Sequence, residues 1–251
     1  MRRKAQSSNR LMDMCLLAGK IMLENGAETY RVEDTMTRIA ASFGFAESHS
    51  FVTPTGIIFS VDGTNPAQMV RVLERSTDLR KVTLVNAVSR QLSSGTLSME
   101  VGYHKLREIE TMPAAYPAWL RLGAAALSSG CFAIMFMAGW VDFLPAVLAG
   151  GIGFAGFLFI HRFVKLRFFS EFSAAFLIGA VAWLLVVAGA GQEVDKIIIG
   201  SVMPLVPGLL ITSAVRDLMA GHLVSGLSKG AEAFLTAFAI GAGIAFSLSL
   251  H

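Results

Sequence analysis

Apolar positions in the first hundred residues recur at helical spacing, then alternate, then return to helical spacing. From Leu11 to Asn25, Leu11, Met14, Cys15, Ala18, Ile21 and Met22 form one face, which predicts a half-buried helix stopped by Gly26. Ala27 to Gly44 reads as a second helix, with Tyr30, Val32, Met36, Ile39, Ala40 and Phe43 apolar and Glu28, Glu33 and Asp34 near its positive N-terminal end. HSFVTPTGIIFSVDG (49–63) predicts two short strands around Thr53-Pro54-Thr55-Gly56, with Asp62-Gly63 a second turn. Gln68 to Glu74 alternates like a third strand. Lys81–Leu92 and Ser98–Met112 return to helical period, the latter ended by Pro113. Helices enclosing a small antiparallel sheet make an α+β domain over residues 1–115, of ordinary size for a folding unit.

After Tyr116 the pattern changes to long apolar runs. A bilayer core takes roughly 20 largely apolar residues per helix. Trp119–Met137, Phe143–Ile160, Phe169–Ala190, Ile197–Val215 and Ala231–Leu250 meet that length, so 116–251 is expected to be an all-α membrane domain of about five transmembrane helices. Pro204 and Pro207 interrupt the fourth, since each removes an N–H and crowds the carbonyl four residues back. Beyond the break, Thr212, Ser213, Arg216, Asp217, His222, Ser225, Lys229 and Glu232 form a polar series between two apolar segments. Irregular backbone at membrane depth survives only where protein or a water-filled cavity satisfies it, which makes a broken helix a candidate permeation site.

Composition sharpens this division. Hydrophobic residues are 54% of the 251, mean hydropathy is +0.60, and 26 of the 39 charged side chains fall in residues 1–116. A net charge of +3, without a basic stripe, argues against a nucleic-acid partner. Cys15 and Cys131 stand far apart, so neither a disulfide framework nor a metal site is expected, and no cofactor motif appears. Glu28, Arg31, Glu33, Asp34 and Thr35 are the densest polar group in the first half; with no nucleophile or metal-ligand set beside them, they predict a capped helix face rather than an enzyme. The loop HRFVKLR carries Arg162, Lys165 and Arg167, and the loop after the fourth span carries Arg216 and Lys229. The opposite loops hold Asp142, Glu193, Asp195 and Lys196. Positive charge inside then places the N-terminal domain in the cytosol and His251 outside. The basic start lacks the sustained apolar run of a signal peptide, which gives the same side. Asp142 is expected at the outer surface. Near span ends, Glu171 beside three cations reads as a headgroup-facing residue, and Glu232, directly after the broken segment, as a candidate functional one.

Three stretches carry a family resemblance: GAETYRVEDTMTRI (26–39), YPAWLRL (116–122) and VPGLLITSAVRDLMAGHLVSGLSKGAEAFL (206–235). Together, in this order and across essentially the whole chain, they resemble the threonine/serine exporter family of bacterial inner-membrane proteins. Full-length members have a cytosolic domain and about ten spans. A chain of five resembles the short split form, in which a second small membrane subunit supplies the rest and some pairs export a dicarboxylate such as succinate. The resemblance implies secondary efflux of a small amino or carboxylic acid, by an oligomer or with that partner. It carries Gly26, Ala27, Glu28, Arg31 and Glu33 in the first half. In the second it carries Pro207, Gly208, Thr212, Arg216, Asp217, Gly221, Gly226 and Glu232. Ser213 departs from the asparagine common in the family. The expected substrate-binding group is Pro207, Gly208, Thr212, Ser213 and Arg216: a helix end and a guanidinium suit a carboxylate. Asp217 and Glu232 are expected to couple or gate. The alternative is a membrane-anchored regulatory or scaffolding protein with a cytosolic sensor domain; glycine-rich and proline-broken spans are more than an anchor needs.

Overall fold

A computed structural model describes residues 2–61, 66–164 and 166–250, with side chains from residue 8 onward. The expected Asp62-Gly63 turn, Lys165 and His251 lie outside these residues. The chain forms two compact units: Met1–Ala115 with Leu209–Gly230, and Tyr116–Gly208 with Ala231–His251.

In the first unit, α1 (Arg2–Glu24) starts well before Leu11, and α2 spans Thr29–Ser42. Between them Gly26 adopts φ +90°, a left-handed conformation that ends α1 at little cost for a residue without Cβ. The sheet is an antiparallel meander, β1 (Ser48–Thr53), β2 (Gly56–Val61) and β3 (Gln68–Arg71), with Thr53 opposite Gly56 and Ile57 opposite Val70. Helices α3 (Leu79–Ser93) and α4 (Met99–Thr111) follow. Asp78 caps α3 by accepting from the N–H groups of Arg80 and Lys81. Leu11, Cys15, Ala18 and Met22 of α1 pack with Met36, Ile39, Ile57, Phe59, Val85 and Leu106 in one core. The α1–α2 approach is tight at Gly19, where a Cβ would sit 2.5 Å from Met36 Sδ.

In the second unit, α5 (Ala118–Met135), α6 (Trp140–Val164) and α7 (Arg167–Val187) are each long and apolar enough to cross a bilayer. Helix α8 (Val194–Val202) runs into a 3-10 turn, Met203–Leu205, before the chain opens at Val206 (φ −62°, ψ 129°) and Pro207. Helix α9 (Gly208–Met219) resumes there. The interruption falls at the two prolines, as the N–H deficit requires. Each piece covers roughly 18 Å at 1.5 Å per residue, so neither alone crosses a core of about 30 Å. Helix α10 (Leu223–Leu248) is the last apolar helix. Among the described residues four helices are thus membrane-capable, or five if the broken pair counts as one. Small residues bring α5, α6 and α8 together: a Cβ on Gly200 would lie 2.6 Å from the Ala133 backbone nitrogen. Many large apolar side chains of the unit, among them Leu127, Trp140, Phe159 and Phe238, remain exposed.

The first compact unit joins Leu209–Gly230 to Met1–Ala115. Two expectations change. The fifth helix begins at Leu223, not Ala231, so Lys229 lies on a helix and the loop shrinks to Ala220–His222, with Gly221 at φ +86°. Ser225 and Lys229, one turn apart, are buried on one face of α10. Asp142, expected at a surface, is fully buried: its Oδ1 accepts from the N–H of Gln192 at 2.6 Å and of Glu193 at 3.4 Å, which caps the approach to α8.

Candidate functional site

Glu28, Arg31, Arg216 and Asp217, four of the residues that the sequence singles out, converge at the N-terminus of α2. Glu28 occupies the N-cap position but makes no capping bond with its own side chain. Its carboxylate turns to two guanidiniums instead, Arg31 at 3.1 Å and Arg216 of α9 at 2.7 Å. The missing cap comes from Asp217. Its Oδ1 accepts the Thr29 N–H at 3.0 Å, an anion at the positive end of α2. Its Oδ2 accepts from Thr29 Oγ1 and Ser225 Oγ, both at 2.8 Å, and from Lys229 Nζ at 2.7 Å. The Thr29 and Ser225 hydroxyls are themselves 2.5 Å apart, so two hydroxyl protons serve three short oxygen contacts.

Asp217 is fully buried and Lys229 is 5% exposed. A buried ion pair survives desolvation only with good geometry and its remaining capacity filled by hydrogen bonds, which is the arrangement here. Gly226 allows it: a Cβ there would press within 2.6–2.8 Å of the Leu218 side chain. Glu33, farther along α2, accepts the Val52 N–H of edge strand β1 at 3.3 Å and lies 3.9 Å from His222 Nε2. Burial pushes the Glu33 carboxyl up, against the pull of His222 and the Val52 N–H. Burial also raises Glu28, but its backbone hydrogen bond and those from Arg216 and Arg31 outweigh it and hold the carboxyl below the ordinary 4.5.

The remaining expected residues are placed differently. Pro207 is buried at the break while Gly208 and Thr212 are exposed and Ser213 is half-buried. Thr212 Oγ1 donates back to the Leu209 carbonyl. Arg216 is 62% exposed at its side chain while it holds Glu28. Glu232 does not join the Asp217 group; its Oε1 accepts from Arg167 Nη1 at 2.8 Å. Thr29 was not singled out by sequence, and Ser225 and Lys229 stood in the polar series after the break without being expected at a binding or gating position. The only signal for Lys229 was an unshielded cation between apolar segments, which demands a buried anion once it lies on a helix. Among the described residues, no group of three or more His, Cys, Asp or Glu is arranged to hold a metal ion.

Comparison with known proteins bears on this arrangement. Residues 13–251 match the model of the family ThrE, described as "Putative threonine/serine exporter". The chain belongs to the ThrE family. It is 24% identical over 248 residues to a protein of Mycobacterium tuberculosis named "Probable threonine/serine exporter", covering 96% of this chain but 46% of that one. It is 24% identical to a Klebsiella aerogenes protein and 23% identical to an Escherichia coli K12 protein, each named "Probable succinate transporter subunit YjjP", covering 94% of this chain and 92% and 93% of theirs. The chain therefore spans about half the mycobacterial relative and nearly all of the two subunits. No solved structure matches it.

Proposed function

We propose that this ThrE-family chain is a subunit of a bacterial inner-membrane secondary exporter for a small amino acid or a dicarboxylate, completed by a second membrane subunit or by further copies of itself. The observation that carries this reading is coverage: the match takes in both units and nearly the full length of relatives named as transporter subunits. The apolar helices and proline-broken segment support it, because alternating access needs close-packed helices and an interruptible one. The positive-inside pattern supports a cytosolic first unit.

Within this reading Pro207, Gly208, Thr212 and Ser213 contact substrate. Arg216 binds its carboxylate with the donors that Glu28 leaves over. Asp217, with its acceptor capacity filled, gates by position: it holds α9 and the first turns of α10 against α2. Glu28, Arg31 and Glu33 complete that joint. The test is efflux from cells preloaded with labelled threonine, serine or succinate, with and without this chain and a candidate second membrane subunit. Faster efflux of one of the three supports the reading; identical rates for all three overturn it.

A further inference from the structure

The end of α6 and the start of α7 carry an exposed aromatic surface with an unpaired cation in it. Phe159 and Phe163, one turn apart on α6, are 66% and 70% exposed, and their ring centroids lie 4.8 Å apart. Arg162, three residues after Phe159, falls on the same face. It is exposed, and among the described residues no hydrogen bond or ion pair engages it. Past the turn, Phe168 and Phe169 of α7 are exposed as well. The acids of this end are taken up by another cation: Arg167 donates from Nε to Glu171 at 2.9 Å and from Nη1 to Glu232 at 2.8 Å. Glu171, expected to face headgroups, is 2% exposed and turned inward.

Two demands meet at this turn. Phenylalanine lacks the polar handle that lets tryptophan and tyrosine rest among headgroups, so four exposed rings at the end of membrane-length helices need a hydrocarbon cover. Arg162 needs an anion, and a guanidinium takes a phosphate through two parallel N–H bonds. A free phosphate or carboxylate would neutralise Arg162 and leave the rings in water. A phospholipid supplies the anion and the hydrocarbon together. Charge selects the headgroup. Phosphatidylethanolamine would bring an ammonium beside Arg162 and Arg167, whereas phosphatidylglycerol adds no positive charge.

Positive charge at this end is not enough by itself, as Arg121 near the start of α5 shows. Helices α5 and α6 run antiparallel: a Cβ on Gly130 would lie 2.6 Å from Val147 Cγ2, and one on Gly151 3.2 Å from Ala126 Cβ. Arg121 therefore stands at the same end of the bundle as Arg162 and is also exposed. Its neighbours one turn away are Pro117, Ala118, Ala124 and Ala125, and Trp119, two positions back, falls on the other side of the helix. Arg121 has the charge without the aromatic shelf. Arg162 has both.

We propose that the α6–α7 turn binds an anionic phospholipid, with Arg162 on its phosphate and Phe159, Phe163, Phe168 and Phe169 against the upper part of its acyl chains. Arg167 ties the same turn to α10 through Glu232, so a seated lipid braces α6, α7 and α10 together. The site requires that these helices cross a bilayer and is independent of what the protein exports.

The test uses the full chain, delipidated in mild detergent and titrated with phosphatidylglycerol or phosphatidylethanolamine of the same acyl chains. Native mass spectrometry reads the affinity, and the unfolding midpoint reads the bracing. Wild type should prefer phosphatidylglycerol and unfold at a higher temperature with it bound. Arg162→Gln should lose about fivefold in phosphatidylglycerol affinity, the factor one cation at a membrane surface supplies, together with most of the midpoint rise. Its lipid-free midpoint should stay at the wild-type value, because Arg162 holds no other group. Arg162→Lys should keep the preference, and Arg121→Gln should match wild type. Phe159→Ala combined with Phe163→Ala should weaken both lipids alike. Equal losses in Arg162→Gln and Arg121→Gln would reduce the effect to diffuse surface charge and overturn the site. Displacement of the lipid by inorganic phosphate at matched ionic strength would make the ligand a free anion and overturn it too.

Discussion

Asp217 and Glu171 are both carboxylates shut away from solvent, each bonded to one basic side chain, yet they stand in opposite conditions. Asp217 accepts four hydrogen bonds, from a backbone N–H, two hydroxyls and an ammonium. Glu171 has one oxygen on Arg167 and, among the described residues, no partner for the other. A group with every acceptor filled is fixed by its partners. Asp142 and Glu171 each keep one buried carboxylate oxygen without a partner among the described residues, so burial and hydrogen-bond saturation are separate properties of a carboxylate.

The largest effect that sharpens this contrast is on stability. Asp217→Asn leaves the Lys229 ammonium buried without its anion and should cost about 3–5 kcal/mol, read as a lower unfolding midpoint of the detergent-solubilised chain. Adding Lys229→Met to it should recover a large part of that loss. Glu171→Gln, by contrast, should change the midpoint by no more than about 1 kcal/mol, because the ion it removes is poorly satisfied. Equal losses for the two variants would erase the distinction.

The same contrast explains what was readable from sequence. Periodicity was enough for α1, α2 and the meander, because one face of each is buried and the spacing records which. The interruption at Leu205–Gly208 was readable because proline chemistry is local. The clamp was not: Thr29 and Asp217 are 188 positions apart, and nothing in a single chain pairs them. Lys229 looked like loop charge because the Ser-Gly-Lys composition of 225–230 depresses hydropathy even though the segment is helical. Glu171 read as a headgroup residue because three cations precede it. Only coordinates show that one of them, Arg167, is shared with Glu232 and leaves an oxygen over.

Smaller effects probe the clamp atom by atom. Thr29→Val removes a hydroxyl donor at a buried helix start and should cost about 1–2 kcal/mol, with Thr29→Ser restoring most of it. Ser225→Ala should cost about 1 kcal/mol, since Thr29 Oγ1 and Lys229 Nζ still donate to that oxygen. Both are measured by the same unfolding midpoint. A Ser225→Ala loss larger than that of Thr29→Val would make Ser225 the stronger hydroxyl donor to Asp217.

The smallest effect concerns Glu28. Its carboxyl is held below 4.5, against burial, in part by Arg216 and Arg31. A depressed folded value contributes stability that is present above the unfolded value of about 4.5 and lost as pH falls through the folded one. Arg216→Ala removes one of these hydrogen bonds, but the guanidinium is largely exposed, so the loss near neutral pH should be at most about 0.5 kcal/mol. The difference between Arg216→Ala and wild type should shrink further in acid, on the limb below pH 4.5. A difference that grows in acid would contradict the assignment.

The contrast between the two carboxylates is tested most directly by the unfolding midpoints of wild type, Asp217→Asn, Asp217→Asn with Lys229→Met, and Glu171→Gln, measured on the detergent-solubilised chain. A large loss in Asp217→Asn, recovered in large part by Lys229→Met, beside a near-wild-type Glu171→Gln is the expected result. Equal losses in Asp217→Asn and Glu171→Gln, with no recovery from Lys229→Met, would contradict it.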